Sequence, residues 1–284
     1  MFWKMAFTLG ANTIIKENLL VKETIRLLDK EFVILPWANT EFEDEIKQQG
    51  DSVSVQTFPR IQHTDGTKAD DAIPESTFAI KKEVLVIDTL KVVNVPVGDL
   101  EQIQSNLNLI QKVAEQIRYD MKDKMDKFIA DTAIAGAATS NKLNNTAALM
   151  DKNTAYALIE EMAVRMDEEN VPDGERGLFL RPKMISLLRQ HPMWDGFREG
   201  NQVRRNGKVG EIAGFEVMKT NNTPDNIMLA MDKDSVNFAA QWIGFDVRKP
   251  SNALKSNILS SFAMGAKVFG ENSKRIVTSK VKFS

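Results

Sequence analysis

The segment ALIEEMAVRMDEENVPDGERGLFLRPKMISLL, residues Ala157–Leu188, carries two kinds of order on either side of a break. Tyr156, Ile159, Met162, Ala163 and Met166 recur at steps of three or four, the spacing of one helix face, and predict an amphipathic helix from about Asn153 to Asn170. Pro172, Gly174 and Gly177 then fall within six residues. Proline removes a backbone donor and glycine favours turns, so the helix ends there. Leu178, Phe179 and Leu180 form a short apolar run bounded by breakers, which predicts a strand entered at Gly177, and a further helix is expected around Lys183 to Gln190. Arg176, between the breakers and the strand, reads as a solvated or interface charge.

The surrounding chain has 284 residues, enough for one large domain or two smaller ones. With 43% hydrophobic and 27% charged residues it has the composition of a globular protein with a sizeable core. The 37 basic and 39 acidic residues leave a net charge of -2, which argues against a nucleic-acid binder driven by a dominant positive field. The absence of cysteine excludes disulfides, thiol nucleophiles and thiolate metal sites. No apolar run approaches the ~20 residues of a membrane helix, and the start MFWKMAFTLGANTIIK lacks a signal-peptide pattern. The sequence reads as that of a soluble, intracellular protein.

Upstream, a short helix within Asn12 to Lys30 leads to an extended segment, FVILPWA (Phe32 to Ala38). SVSVQTF (Ser52 to Phe58) and TFAIKKEVLVI (Thr77 to Ile87) read as two strands separated by the polar, aperiodic stretch from Pro59 to Ser76. A loop of that length is usually functional, and a lone hairpin is marginal in water, so this one needs a further surface to lie on. Asp99 and Gln102 then match a capping box before Leu100, Ile103, Leu107, Ile110, Ala114, Ile117, Met121, Met125 and Phe128. That stripe predicts a long helix to about Ile134, ~50 Å at 1.5 Å per residue. Lys112, Glu115, Lys122, Asp123, Asp126 and Lys127 are placed on its opposite, charged face.

The small residues of AIAGAATSNKLNNTAAL read as a linker or turn. Later strands are expected at Phe215 to Met218, Ile227 to Ala230, Val236 to Ala239 and Phe245 to Val247, with a closing strand in KRIVTSKVKF. Helices and strands follow one another without regular alternation, an α+β pattern.

Residue types for catalysis are sparse. His63 and His191 are far apart and neither has a second ligand at metal spacing. No G-x-S-x-G elbow occurs. GKVGEIAG (Gly207 to Gly214) precedes a strand rather than following one, so a turn fits better than a phosphate cradle. The acidic groups EFEDE (Glu41 to Glu45) and DEE (Asp167 to Glu169) read as solvated faces. No catalytic residue, cofactor or metal site is assigned.

The order of these parts resembles the tailed-bacteriophage major capsid proteins, the fold first known from the Hong Kong phage. The likeness rests on Ala157–Leu188 and on three further pieces in the same order as in that family. These are DLEQIQSNLNLIQKVAEQI, GKVGEIAGFEVMKTNNTP and FAMGAKVFGENSKRIVTSKV. The resemblance implies an N-terminal arm (1–50), an extended β-hairpin loop (51–92), a peripheral domain with a spine helix (93–148 and 252–284) and a mixed α/β axial domain (149–251). It implies a non-catalytic subunit assembling as pentamers and hexamers into an icosahedral shell around double-stranded DNA held without sequence recognition. A separate scaffolding protein, a portal and decoration proteins would be its partners, and no membrane. Thr64, Asp65, Lys68, Asp70 and Asp71 in the loop and Arg198, Arg204 and Arg205 in the axial domain become the candidate inter-subunit contacts. Some members cross-link a loop lysine to an asparagine, and Lys68 lies in the corresponding loop. Two other readings compete: an encapsulin-type compartment shell enclosing protein cargo, and a soluble enzyme with a pocket at Asp195 to Gly214.

Overall fold

The computed structural model describes residues 32–42, 52–57, 81–98, 108–191, 208–248 and 255–283. Its centre is a six-stranded mixed sheet in the order β4 (Lys142–Leu149), β11 (Ile276–Lys282), β8 (Ile227–Asp232), β5 (Arg176–Leu180), β7 (Phe215–Lys219) and β6 (Lys208–Ile212). The pairs β4–β11 and β5–β7 are parallel and the other three antiparallel.

Side-chain alternation divides the core into two layers. Leu178 and Leu180 of β5 point to the face that also carries Phe215, Val217, Met228, Ala230 and Val277. Helix α2 (Lys152–Glu168) covers that face with Ile159, Met162 and Met166, and α3 (Pro182–Leu188) with Met184, Ile185 and Leu188. Phe179 points the other way, with Met218, Leu229, Met231 and Ile276, against the long helix α1 (Asn108–Gly136) and Trp37. A strand buried on both faces has no solvent side to reserve for polar residues. Hence the unbroken apolar run 178–180, every residue of β5 being buried.

Helix α1 meets the sheet through Met121 and Met125 of the expected stripe and then through Ile129, Ala130 and Ala133, which the stripe did not include, while Phe128 is only partly buried. The proposed cap at Asp99 lies outside the described residues. Against the same helix lies a three-stranded antiparallel sheet, β3 (Thr89–Gly98), β10 (Lys255–Lys267) and β9 (Asn237–Arg248), through Ile258, Phe262 and Met264. Strands β4 and β11 come from spans that the sequence reading gives to the peripheral unit, and β9 comes from the axial span. Each sheet therefore draws on both.

Several expectations are corrected. KLNNTAAL is not a linker but strand β4, its backbone satisfied by a parallel partner, β11, that is distant in sequence. The two strands expected at Val236 to Ala239 and Phe245 to Val247 are one strand, β9, continuous through Gly244 opposite a bulge at Ser261/Phe262. Strands β3 and β10 are additions that the sequence reading does not place, although β3 carries Val92, Val93, Val95 and Val97. The FVILPWA segment is not extended throughout: Leu35–Trp37 forms a 3-10 turn, with Pro36 supplying its helical φ. The helix expected between Asn12 and Lys30 lies outside the described residues.

The hairpin of β1 (Ser52–Thr57) and β2 (Lys81–Val86) pairs as expected. Its base does not wait for another subunit. Val53, Leu85 and Ile87 are buried against Ala239, Ala263 and Phe269 of the same chain. Gly265 of β10 permits this close approach, because a Cβ there would stand 2.2 Å from the Val86 carbonyl oxygen.

Candidate assembly surface

All eight candidate contact residues, Thr64, Asp65, Lys68, Asp70, Asp71, Arg198, Arg204 and Arg205, lie outside the described residues, as does His63. The structure describes the base of the hairpin that carries the first segment, and the helix end that precedes the second.

The first is the hairpin base. Val86, Leu90 and Val92, three of the six large hydrophobic residues exposed among the described residues, fall in one short stretch where β2 passes into β3. Among the described residues strand β3 pairs with β10 alone, which leaves it at the edge of the three-stranded sheet. Pro96 sits on this edge strand, where the missing N–H is tolerated.

The second is the end of α3. There the His191 ring stacks on Tyr156 of α2, with centroids 4.8 Å apart and planes 4° from parallel. Lys183 of the same helix lies over the Phe283 ring at 4.6 Å. Residues 208–214 of GKVGEIAG form β6 and the turn of the β6–β7 hairpin, whose turn residues Ala213 and Gly214 have φ of 49° and 78°. Two successive positive φ values make the tight turn that joins antiparallel strands, with no helix N-terminus for a phosphate.

The α2–β5 break is a closed device. Helix α2 begins at Asp151, whose carboxylate accepts from the N–H groups of Asn153 and Thr154, while the Thr154 hydroxyl accepts from the Asp151 N–H. These bonds hold the Asp151 carboxyl below its ordinary range. The helix ends with Asn170 in the left-handed region at φ 57°, the Asn170 N–H on the Asp167 carbonyl and the Val171 N–H on the Met166 carbonyl. That is a Schellman closure, and Asn is among the residues that tolerate it. Val171 packs back on the helix core, Pro172 blocks continuation and Gly174 turns at φ 108°.

Arg176 corrects the sequence reading. It is 3% exposed and neither solvated nor at the surface. Its Nε donates to the Pro172 carbonyl at 3.1 Å, Nη1 to Asp167 at 2.7 Å, and Nη2 to the Val171 carbonyl and to Asp173. Asp167 is thus an ion-pair partner, and Glu169 approaches Lys274 at 3.8 Å, so the acidic DEE group is not simply a solvated face. Beside it, Asp232 meets Arg275 at 3.2 Å. Burial raises the Asp232 carboxyl above its usual range and Arg275 offsets part of that rise.

Asp126 is a second correction. Assigned to the charged face of the long helix, it is 1% exposed. Its carboxylate accepts from the backbone N–H groups of Val33 at 3.1 Å, Ile34 at 3.3 Å and Leu35 at 3.1 Å. Burial raises its pKa, and these three bonds and Lys122 pull it down less strongly. The available signal was its position three residues before Ile129 and five after Met121, on the flank of the stripe. What lay opposite could not be read from it.

These groups build caps, clamps and ion pairs. Among the described residues no group of three or more His, Cys, Asp or Glu is placed to hold a metal ion, and no helix is long and apolar enough to cross a membrane.

No family model matches the sequence, and no curated protein matches it. Solved structures do share its architecture. A chain of the capsid of the cyanophage P-SCSP1u is similar at TM-score 0.71 and 16% identity, over 90% of this chain and 89% of that one. A chain of Mycobacterium phage Che8 gives TM-score 0.67 and 19% identity, covering 88% and 91% respectively. A virus-like particle from Pyrococcus furiosus gives 0.56 and 14%, covering 95% of this chain and 100% of that one. Identity this low speaks to the fold, and the fold is that of phage capsid chains.

Proposed function

From a fold shared across 90% of its length with a phage capsid chain, we propose that this protein is a major capsid protein. It assembles, without catalysing a reaction, into the icosahedral shell of a tailed phage. That whole-length likeness is the observation that carries the reading. Because the match covers 90% of this chain and 89% of that one, it is a likeness across most of both chains and not of one common module.

In this reading the chain assembles in the host bacterial cytoplasm, as pentamers and hexamers, and ends in the virion. The sequence segment 51–92 reaches toward a neighbour from the base that its own chain anchors. Span 149–251 meets its copies around the symmetry axes, and spans 93–148 and 252–284 form the periphery. Thr64, Asp65, Lys68, Asp70, Asp71, Arg198, Arg204 and Arg205 are the proposed contacts. Each contact is weak and the shell is held by their symmetric repetition. A net charge of -2 fits an enclosure that surrounds double-stranded DNA without gripping it or reading its sequence. A scaffolding protein, a portal and decoration proteins complete the assembly.

A compartment shell enclosing protein is the second reading, favoured by the likeness to the Pyrococcus furiosus particle. Electron microscopy of the protein expressed with a scaffolding protein tests both. Uniform closed shells tens of nanometres across are expected. Monomers or small rings under every condition would overturn the shell reading, and DNA or protein inside the particles separates the two kinds of shell.

A further inference from the structure

Residues 32–42 cross the body as a strap fastened by two unlike means. At one end the fastening is backbone ladder. The Asp234 N–H donates to the Trp37 carbonyl at 3.0 Å, the Asn39 N–H to the Val236 carbonyl at 2.8 Å and the Phe238 N–H to the Asn39 carbonyl at 2.9 Å. Trp37 adds an edge-on contact with Phe179 and lies over Gly177, and Phe42 meets Phe269 edge-on. At the other end the polar fastening is a single side chain, Asp126, which takes the N–H groups of Val33, Ile34 and Leu35.

A carboxylate suits that post because all three partners are donors and an ionised carboxylate offers acceptors alone. Apolar adhesion at this end comes from Phe32 and Ile34, buried in the same cluster as Trp37 and α1. Burying a charge is costly, so what Asp126 adds is geometry: one carboxylate fixes three successive N–H groups. Pro36 stands between the two fastenings and stiffens the join.

We propose that Asp126 is a releasable latch. It holds residues 33–35 in one orientation on helix α1, and that half of the strap opens independently of the half welded to β9. The device lies wholly within the subunit and does not depend on what the subunit assembles into.

Hydrogen exchange on the intact chain, wild type and Asp126→Asn, tests it. Asparagine keeps the shape but turns an N–H toward backbone donors. The expected result is a loss of protection of about tenfold or more at the Val33, Ile34 and Leu35 amides, with Asn39, Phe238 and the amides of β5 unchanged. Unchanged protection at 33–35 would overturn the latch. Equal loss across β5 and α1 would also overturn it, because the strap would then be part of one cooperative unit. The wild type supplies a check that needs no variant to fold. Its 33–35 amides should exchange faster than those of Asn39 and Phe238, and joint opening of the two ends sinks the proposal.

Discussion

The Arg176 guanidinium donates to the Asp167 carboxylate at 2.7 Å across the turn that joins α2 to β5. The arginine is buried, whereas the Asp167 side chain is 60% exposed, so the two partners have unequal weight. Arg176 also satisfies the Val171 and Pro172 carbonyls, which no β ladder reaches. Replacing it with methionine should cost about 1.5–3 kcal/mol, because buried acceptors lose a charged donor. Asp167→Asn should cost less than about 1 kcal/mol, since an exposed carboxylate is well solvated either way. Urea unfolding of both variants checks the ranking, and equal losses would show that the ion pair, rather than the carbonyl contacts, closes the turn.

Gly177 is placed by a different constraint. A Cβ at this position would stand 3.0 Å from Cδ2 of Trp37 and 3.1 Å from Cε2 of Phe179, tighter than ordinary contact. Gly177→Ala should destabilise by about 1–3 kcal/mol, the range for overpacked cores. It should also shift the Trp37 fluorescence. An unchanged melting temperature would mean that the indole moves aside freely.

At Gly265 the obstacle is backbone. The nearest atom to an added Cβ is the Val86 carbonyl oxygen at 2.2 Å, and no rotamer can relieve that. Gly265→Ala should lift β2 from β10, so that protection is lost at Leu85 and Ile87 while β5 and β8 keep theirs. Amide exchange mapped across these strands tests this directly.

Asp126 predicts a pH dependence. Burial raises its folded pKa above the ordinary carboxylate value of 3.8, despite three backbone donors. The folded state therefore binds this proton more tightly than the unfolded chain does. Its contribution to stability is fully present below the unfolded pKa and is lost as pH rises through the folded pKa. Relative to Asp126→Asn, the wild type should be most favoured in acid and lose ground as pH climbs from about 3.8 through the folded value. Asp232 shifts in the same direction but is common to both proteins, so it cancels in the difference. A difference that stays flat across acidic pH would contradict the assignment.

Deleting Gln62 to Pro74 separates subunit folding from assembly. The hairpin base is buried on its own chain through Val53, Leu85 and Ile87, so the shortened protein should remain folded by circular dichroism. Shells should fail to form or should form with altered geometry. Normal shells would remove the role proposed for Thr64, Asp65, Lys68, Asp70 and Asp71.

What could be read in advance was local. The step of three and four in Ile159, Met162, Ala163 and Met166 and the stop at Asn170 to Gly174 are properties of adjacent residues, and both stand in the structure. So do the short apolar run of β5 and, of the stripe on α1, Ile117, Met121 and Met125. The candidate contact residues fall outside the described residues.

Pairing and burial were decided elsewhere. Asp126 looks like any exposed helix acid until Val33, 93 residues away, places its N–H against it. Arg176 looks like a surface charge until the turn it belongs to folds around it. KLNNTAAL has the composition of a linker, and becomes a strand because β11 passes beside it. The hairpin's apolar face has no partner nearby in sequence and finds one in Ala239, Ala263 and Phe269. The sequence by itself determined the type and order of the strongly periodic elements, because helix and strand periodicity is written in neighbouring residues. The tertiary structure alone decided which charges are buried and which strands pair. Desolvation and hydrogen-bond satisfaction depend on groups that the chain brings together only after it has folded.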